Sequence, residues 1–326
     1  MSATLKYSYE SAFAPHIEGL VLQKKSCGFI YEAEAYGLKK FDEFCVNRGY
    51  AETAITRDIA MDWAVQRDTE SINYRNQRVS FLRQLSFYMI SLGIDCYIPR
   101  QHASAAVSIP HIPDAGELRE LFEIVDAQCS DKLFGNIFPE GYKVLYRLYY
   151  CCGLRLSEGC NLRRENVDLI SGVLRIIQSK GDKDRLVYMA DDLTALCRKY
   201  DAIVSKYHPD RTWFFPGRDH GKPLHRSGIC HKFKQYWEMT ERSKTCEKPP
   251  TVHSLRHAFV VDRINQWMLE GVSLEAMMPY LSRYLGHSGI NDTMYYYHQV
   301  RKAFQIVRQK DWLSSQIIPE VAAYEV

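Results

Sequence analysis

The amino-acid sequence predicts a mainly α-helical protein with a small antiparallel β-sheet, divided into two domains. Apolar residues recur with helical periodicity along most of the 326 residues. One segment, residues 173–189, instead has two β-rich runs on either side of a polar turn that contains glycine. Between residues 98 and 113 the periodicity stops, and prolines and small residues replace it. We therefore expect a helical domain over residues 1–105, an extended linker near 98–113 and a second domain over 106–326.

Composition limits the kinds of protein that this chain can be. Hydrophobic residues make up 46% and charged residues 25%, as in ordinary globular proteins. The chain has neither a long apolar run nor an N-terminal secretory signal, so we expect a cytoplasmic protein without a membrane span. The 10 cysteines form no C-x-x-C pair, which predicts free thiols and no structural metal. Because the net charge is only +3, binding to nucleic acid would depend on local basic surfaces.

The first domain is predicted to contain three helical stretches with recognisable ends. The first stretch stops at Gly49, because glycine readily adopts the left-handed backbone that ends a helix. A short amphipathic helix follows, with Thr56 or Asp58 as its N-cap, and a longer helix runs from Ser71 to Gly93. Three arginines on the longer helix are candidates for contact with phosphate groups, namely Arg75, Arg78 and Arg83.

The second domain is predicted to alternate between helices and a small sheet. A helix capped by Asp114 is followed by a helical run that ends at Gly153 and by another short helix. Residues 173–178 and 185–189 are expected to pair as a hairpin, and a second pair of strands is expected around residues 212–225. The chain then returns to three helices, predicted at residues 225–242, 252–269 and 275–285.

Two groups of reactive side chains lie in the first half of this domain. Arg155 and Glu158 are three residues apart, a spacing that places them on one helical face, and they follow a glycine. Lys180 lies at the turn of the predicted hairpin, next to Gly181, and Lys183 is the competing lysine on the same turn. Each pattern alone is typical of a solvated surface, so its meaning depends on the rest of the chain.

Two further groups lie near the end of the domain. His253 and Arg256 form an H-x-x-R pair on a predicted helix. His287 follows a glycine, and three consecutive tyrosines at residues 295–297 come after it. Aromatic residues clustered in a helix usually belong to a core, and an isolated H-x-x-R pair can join a structural histidine to a surface arginine.

Together these side chains have the chemistry that an attack on a phosphodiester requires. Two guanidiniums neutralise the extra negative charge on the non-bridging oxygens of the transition state. A lysine can protonate the departing 5′ oxygen, and a histidine can accept the phenolic proton. A tyrosine then forms a covalent phosphotyrosine, which conserves the bond energy, so that rejoining needs no ATP. We therefore expect no metal ion and no cofactor.

The same residues lie in motifs that resemble the successive motifs of the tyrosine recombinases, or phage-type integrases. The motifs are residues 152–162, 179–187, 253–259 and 284–298, and they occur in the order found in that family. The resemblance implies a catalytic set composed of Arg155, Lys180, His253, Arg256, His287 and Tyr296. Tyr296 is selected among the three tyrosines because it follows His287 by nine residues, as in the family. Glu158 is expected to support Arg155, and Lys183 and Arg185 join the candidates for DNA contact.

The resemblance also implies how such a protein works. A core-binding domain and a catalytic domain would clamp double-stranded DNA at a specific site, and a homotetramer would exchange strands between two sites through a four-way junction. The segment after the tyrosines would dock on a neighbouring subunit or on its own domain, and accessory DNA-bending proteins would assist. Gly159 departs from the family pattern, which has a large aliphatic residue at that position, so the packing there is expected to differ.

Two other functions are compatible with the same residues. A type IB topoisomerase uses the same tyrosine attack, but it relaxes supercoiled DNA as a monomer without sequence preference. A DNA-binding regulator without catalytic turnover belongs to another class, and it would have no need of a complete set of catalytic residue types. A site-specific recombinase or integrase is the function that the sequence favours.

Overall fold

The protein is described here from a computed structural model. The chain divides into two compact units, Met1–Ser108 and Ile109–Val326. Most of the predicted linker falls on residues 101–109, which lie outside the described part of the chain. Within the described part, no helix has the length and the apolar character that crossing a membrane requires. The described residues are 5–100, 110–128, 137–177, 184–219, 221–287, 289 and 293–294.

The described part of the first unit contains four helices, and the last of them packs against the other three. They are α1 (Ala14–Ser26), α2 (Glu32–Arg48), α3 (Arg57–Ala64) and α4 (Ile72–Ser91). The predicted first stretch is divided into two helices by Tyr31, which has a left-handed backbone with a φ of 47°. The ends predicted at Gly49, Thr56 and Ser71 are confirmed: the glycine is left-handed, and both hydroxyls accept backbone N–H groups.

Aromatic side chains dominate the core of this unit. Phe41 and Trp63 pack edge to face, with their ring centroids 5.3 Å apart. Arg78 is also buried here, and its guanidinium donates to both carboxylate oxygens of Glu70 at 2.7 Å. It also donates to the carbonyl oxygens of Trp63 and Val65, so its donors point into the protein. The prediction that Arg78 contacts DNA is therefore wrong, because α4 presents this arginine to the core instead of to solvent.

The two other arginines of α4 lie at the surface of the unit. Arg83 is half-buried, lies over the ring of Phe87 at 5.0 Å and donates to the carbonyl oxygen of Pro99 at 2.8 Å. Arg75 is also half-buried, and its Nε has no hydrogen-bond partner. Both remain candidates for DNA contact.

The second unit is built around one apolar helix. This helix, α6 (Phe138–Cys151), packs against α5 (Ala115–Ala127), α7 (Leu156–Cys160), α8 (Asp191–Tyr207) and α10 (Val252–Glu270). Three of its tyrosines, Tyr142, Tyr146 and Tyr149, are buried, and the hydroxyl of Tyr146 donates to the carbonyl oxygen of Ile229 at 2.9 Å. The other α-helices in the described part of this unit include α9 (Arg226–Glu238) and α11 (Leu274–Leu285). A buried central helix of this kind fixes the positions of the loops at its ends.

The sheet has three antiparallel strands in the order β1 (Val167–Asp168), β2 (Val173–Ile176) and β3 (Arg185–Tyr188). The predicted hairpin is formed by β2 and β3, with Leu174 opposite Val187 and both side chains buried. The second predicted strand pair is absent from the described residues, since Pro216 and Pro223 form only an isolated bridge. The predicted class, mainly helical with a small antiparallel sheet, is confirmed.

Gly159 is required by the packing of α6 against α7. A Cβ atom at this position would lie 2.5 Å from Cε1 of Tyr149 and 2.7 Å from its hydroxyl oxygen. The Tyr149 hydroxyl in turn donates to the carbonyl oxygen of Leu156 at 3.0 Å. The tyrosine therefore fills the space that a larger residue at position 159 would occupy, which explains the departure from the family pattern.

Candidate active site

Arg155 lies at the N-cap of α7, two residues after a bend at Gly153 with a φ of 60°. Its guanidinium donates to Glu158 Oε1 at 2.8 Å and to the carbonyl oxygen of Gly286. The backbone N–H of Arg155 donates to Glu158 Oε2 at 2.7 Å. The spacing of three residues thus brings the two side chains together, although Arg155 precedes the helix instead of lying on it.

Arg256 is buried in α10 and holds two bends of the chain together. Its guanidinium donates to the carbonyl oxygen of Gly153 and, at 2.8 Å, to that of Leu285. The first carbonyl belongs to the bend before α7, and the second belongs to the end of α11. A buried guanidinium with several acceptors is held in one orientation. An arginine that stabilises a transition state needs such a fixed orientation.

His287 follows the end of α11 and contacts the same guanidinium. Nη2 of Arg256 lies 2.8 Å from Nε2 of His287, and the hydroxyl oxygen of Thr293 lies 2.7 Å from Nδ1. Because a guanidinium has only donors, Nε2 accepts this hydrogen bond, and the ring proton is on Nδ1. Nδ1 therefore donates to Thr293, and His287 is neutral in this arrangement.

Thr293 is a residue of the site that the sequence reasoning missed. Its side chain is completely buried, and its hydroxyl orients the ring of His287. A signal was present, because this threonine lies six residues after His287 and three residues, or almost one helical turn, before Tyr296. A hydroxyl at that spacing can connect the histidine to the tyrosine segment.

Two histidines of α10 lie close to Arg256: His257 follows it directly in the sequence, and His253 precedes it by three residues. The rings of His253 and His257 are 4.3 Å apart at 80°, with His253 exposed and His257 buried. Burial, first, and then the electrostatic effects of His253, Arg256 and His287 together lower the pKa of His257 to about 3. Partial desolvation also lowers the pKa of His253 below 6.5, and the positive charges of Arg256 and Arg155 add to this effect. Both rings are therefore neutral near pH 7.

Glu158 is ionised and lies between two arginines. Arg185, at the start of β3, donates to both of its carboxylate oxygens at 2.8 Å, and Oε1 also accepts the bond from Arg155. Burial alone would raise the pKa of Glu158, but the hydrogen bonds and charge of Arg185, together with the backbone and side-chain hydrogen bonds of Arg155, lower it to about 2. Arg185 was predicted to contact DNA. The structure contradicts this prediction, because its guanidinium is directed into the protein.

The structure brings together five of the predicted residues, namely Arg155, Glu158, His253, Arg256 and His287. Lys180, Lys183 and Tyr296 lie outside the described residues. Two permanently charged guanidiniums can stabilise a phosphate that gains negative charge. The neutral imidazoles beside them can accept a proton from an attacking hydroxyl. Among the residues that the structure describes, no group of three or more His, Cys, Asp or Glu side chains is placed to hold a metal ion.

Solved structures with a similar fold are DNA recombinases. The Tn1549 transposon integrase in complex with transposon right end DNA has a TM-score of 0.61 at 15% identity, covering 93% of this chain and 99% of that chain. The XerH site-specific recombinase in a post-cleavage complex with a palindromic difH substrate has a TM-score of 0.59 at 16% identity, covering 85% and 78%. The fold of this chain is the fold of these recombinases.

Sequence relatives agree with the fold. A putative integrase/recombinase of Sinorhizobium fredii, y4rE, is 30% identical over 291 residues, which cover 86% of this chain and 89% of that protein. Tyrosine recombinase XerD of Staphylococcus aureus is 30% identical over 202 residues, 59% of this chain and 62% of XerD. Fold, site and relatives together define a tyrosine recombinase, a class of enzyme that breaks and rejoins DNA. The sequence pattern of the phage integrase family matches residues 115–302, and the chain belongs to that family.

Proposed function

We propose that this chain is a site-specific recombinase that cuts and rejoins double-stranded DNA through a 3′-phosphotyrosine on Tyr296. The observation that carries the proposal is the junction of Arg155, Arg256 and His287. Arg155 reaches a carbonyl 131 residues away, and Arg256 reaches one 103 residues away. A protein that only binds DNA has no need to fix two guanidiniums and two neutral imidazoles at one place.

The proposed cleavage step transfers one phosphoryl bond. The phenolic oxygen of Tyr296 attacks the scissile phosphorus while the bond from phosphorus to the 5′ oxygen breaks. His253, neutral near pH 7, accepts the phenolic proton, and Lys180 donates a proton to the departing 5′ oxygen. Arg155 and Arg256 neutralise the charge that gathers on the non-bridging oxygens. The same steps in reverse join a 5′-hydroxyl to the phosphotyrosine, so strand exchange requires no external energy source.

The assembly follows from the need to exchange strands between two duplexes. In the proposed complex the helical unit and the catalytic unit of each chain hold one half of a recombination site. A homotetramer then joins two sites and passes through a four-way junction, with residues 300–326 docked on a neighbouring subunit or on their own domain. Arg75 and Arg83 on α4 and Lys183 on the hairpin turn contact the DNA backbone, and the protein works on DNA in the cytoplasm.

Two neighbouring tyrosines provide the test of this mechanism. Tyr296→Phe removes only the attacking oxygen, so the variant should bind DNA normally and form no covalent adduct, whereas Tyr295→Phe should form the adduct. The substrate is a nicked duplex whose sequence is selected from a random pool by binding to the protein. After cleavage, the short fragment with the 5′-hydroxyl diffuses away, so the strand cannot be rejoined and the adduct accumulates. Adducts are counted on denaturing gels, and binding is measured by fluorescence anisotropy.

The outcomes separate the alternatives. Loss of the adduct in Tyr295→Phe with retention in Tyr296→Phe would show that the nucleophile is the neighbouring tyrosine. Absence of the adduct in the wild-type protein, with normal binding, would identify a non-catalytic DNA-binding protein. Relaxation of supercoiled plasmids that lack a selected site would identify topoisomerase activity instead.

A further inference from the structure

One buried carboxylate connects two arginines that lie on different elements of the fold. Glu158, on α7, receives one hydrogen bond from the guanidinium of Arg155 and two from that of Arg185, all at 2.8 Å. The Glu158 side chain is 5% exposed and that of Arg185 is 9% exposed, so this ion pair is shielded from solvent. A shielded, bidentate pair holds its two members far more firmly than a surface salt bridge does.

Arg185 is anchored on a third element as well. Its Nε donates to the carbonyl oxygen of Tyr284, in α11, at 2.7 Å. Gly286 lies beside both guanidiniums, and a Cβ atom there would be 3.2 Å from Nη1 of Arg155 and 3.2 Å from Nη1 of Arg185. Arg185 therefore joins β3 to α7 and to the end of α11, next to the bend that carries His287.

The charges of this cluster explain why a second arginine is useful. Arg155 paired with Glu158 alone would have no net charge, and its attraction for a phosphate would be weak. With Arg185 added, two positive groups face one negative group, and the cluster carries one net positive charge. Because the carboxylate oxygens face Arg185 as well, Glu158 can orient Arg155 without cancelling its charge.

We infer that Arg185 is a positioning residue for the cleavage reaction, which acts through Glu158 to orient Arg155 and to preserve its charge toward the scissile phosphate. The inference rests on the proposed function. It assigns to Arg185 a role other than DNA contact, and other than support of Lys180, which precedes it by five residues in the sequence.

The experiment compares three substrates that differ only at the scissile phosphate. The first is the natural phosphate. The second is a methylphosphonate, which lacks the charge that Arg155 neutralises, and the third has sulfur in place of the 5′ oxygen, which leaves without a proton from Lys180. The variants are Arg185→Gln and Arg185→Lys, with Arg155→Ala and Lys180→Ala as references. The first-order rate of adduct formation is measured on DNA already bound to the protein.

A matched control separates positioning from loss of stability. Arg211 is an equally buried arginine of the same unit, which donates to Asp201 and to the hydroxyl of Ser205 and contacts none of the site residues described above. Arg211→Gln therefore removes a comparable ion pair at a distance from the site. All rates are measured below the melting temperature of the least stable variant, and folded fractions are followed by circular dichroism.

We expect Arg185→Gln to slow cleavage of the natural phosphate by about 10- to 100-fold, as loss of a supporting residue does. On the methylphosphonate, the defects of Arg185→Gln and Arg155→Ala should both become smaller. On the sulfur substrate, the defect of Arg185→Gln should persist, because this substrate should restore the rate only of Lys180→Ala. Arg185→Lys keeps the charge but loses the bidentate fork, so its rate should lie between those of wild type and Arg185→Gln. Arg211→Gln should cleave bound DNA at the wild-type rate.

Three outcomes would overturn the inference while leaving the proposed function intact: a wild-type rate for Arg185→Gln, an equal defect on all three substrates, or rescue by the sulfur substrate. Rescue by sulfur would mean that Arg185 acts on Lys180. A defect of equal size in Arg211→Gln would likewise overturn it, because loss of stability would then explain the slower cleavage. Absence of any adduct with the wild-type protein would overturn the proposed function, and the role of Arg185 with it.

Discussion

At the scale of single residues, two histidines on one helix have different surroundings and different roles. His253 is exposed beside Arg256 and is the proton acceptor in the proposed mechanism, whereas His257 lies one turn further and is buried. A buried imidazole beside a guanidinium stays neutral, and here its pKa is lowered to about 3 by burial first and then by the electrostatic effects of His253, Arg256 and His287. His257 can thus support the ring of His253 without adding charge to the site.

The low pKa of His257 predicts a loss of stability in mild acid. In the unfolded chain this histidine binds a proton below about pH 6.5, but in the folded protein it does so only near 3. The unfolded state is therefore favoured as the pH falls from about 6.5 toward 3. Between about pH 6.5 and pH 5 this contributes a loss of about 2 kcal/mol in the free energy of unfolding.

Urea unfolding at several pH values measures this effect. His257→Gln should lose less stability than the wild-type protein over that interval, because the titrating group is gone. His231→Gln, which changes an exposed histidine on α9, should keep the wild-type pH dependence. Parallel curves for the wild type and His257→Gln would show that other groups cause the acid sensitivity.

At the scale of elements, the bend between α6 and α7 connects the core to the site. Its carbonyl at Gly153 accepts a hydrogen bond from Arg256, and Arg155 follows two residues later. The glycine has a positive φ of 60°, and a Cβ atom there would lie 2.7 Å from Cδ1 of Phe259 and 2.9 Å from Cδ2 of Leu285. Backbone conformation and packing therefore both require glycine.

A comparison of two glycines separates these two requirements. Gly153→Ala should lower the free energy of unfolding by about 1 kcal/mol for the left-handed backbone and by a further 1–3 kcal/mol, roughly, for overpacking. Gly271→Ala, at the end of α10, should show only the first effect, because its φ is 75° and nothing lies within 4 Å of its added Cβ. Denaturant unfolding checks this, and equal losses in the two variants would contradict the packing argument.

The same pair of variants tests the link to catalysis. Gly153→Ala moves the carbonyl that holds Arg256, so adduct formation on bound DNA should slow down. Gly271→Ala leaves that carbonyl in place, and its cleavage rate should be unchanged. An unchanged rate in Gly153→Ala would show that the other acceptors of Arg256 are sufficient to orient it.

At the scale of the whole molecule, the two units have separate cores. All buried side chains of one core cluster come from the first unit, around Phe41 and Trp63. Those of the larger cluster come from the second unit, around Tyr146 and Leu145. A unit that buries its own apolar side chains can unfold in its own cooperative transition.

Calorimetry should therefore show two unfolding transitions. Arg78→Gln leaves Glu70 buried without its charged partner, which typically costs about 3–5 kcal/mol, so it should lower the transition of the first unit. Gly153→Ala should lower the other transition. Each variant should leave the remaining transition where it is in the wild type. A single transition that shifts in both variants would show that the two units unfold together.

Local sequence was sufficient to predict much of the fold and part of the site. The caps at Thr56, Ser71 and Asp114 were recognisable because a capping side chain bonds to the backbone two or three residues ahead. The hairpin of β2 and β3 was recognisable from two β-rich runs around a turn. Arg155 and Glu158 meet as predicted because residues three apart are neighbours near a helix start.

Long-range packing decided the rest. Arginine is usually a surface residue, but Arg78 and Arg185 each bind a buried carboxylate. Hydrophobic periodicity alone does not show which arginine side chains are buried. The bond from Arg155 to Gly286 spans 131 residues, and the contact from Arg256 to His287 spans 31. The sequence by itself determined which groups can carry the reaction, because their chemistry belongs to the side chains. Only the tertiary structure decided which guanidiniums face the site and which support it, because burial and orientation depend on distant segments.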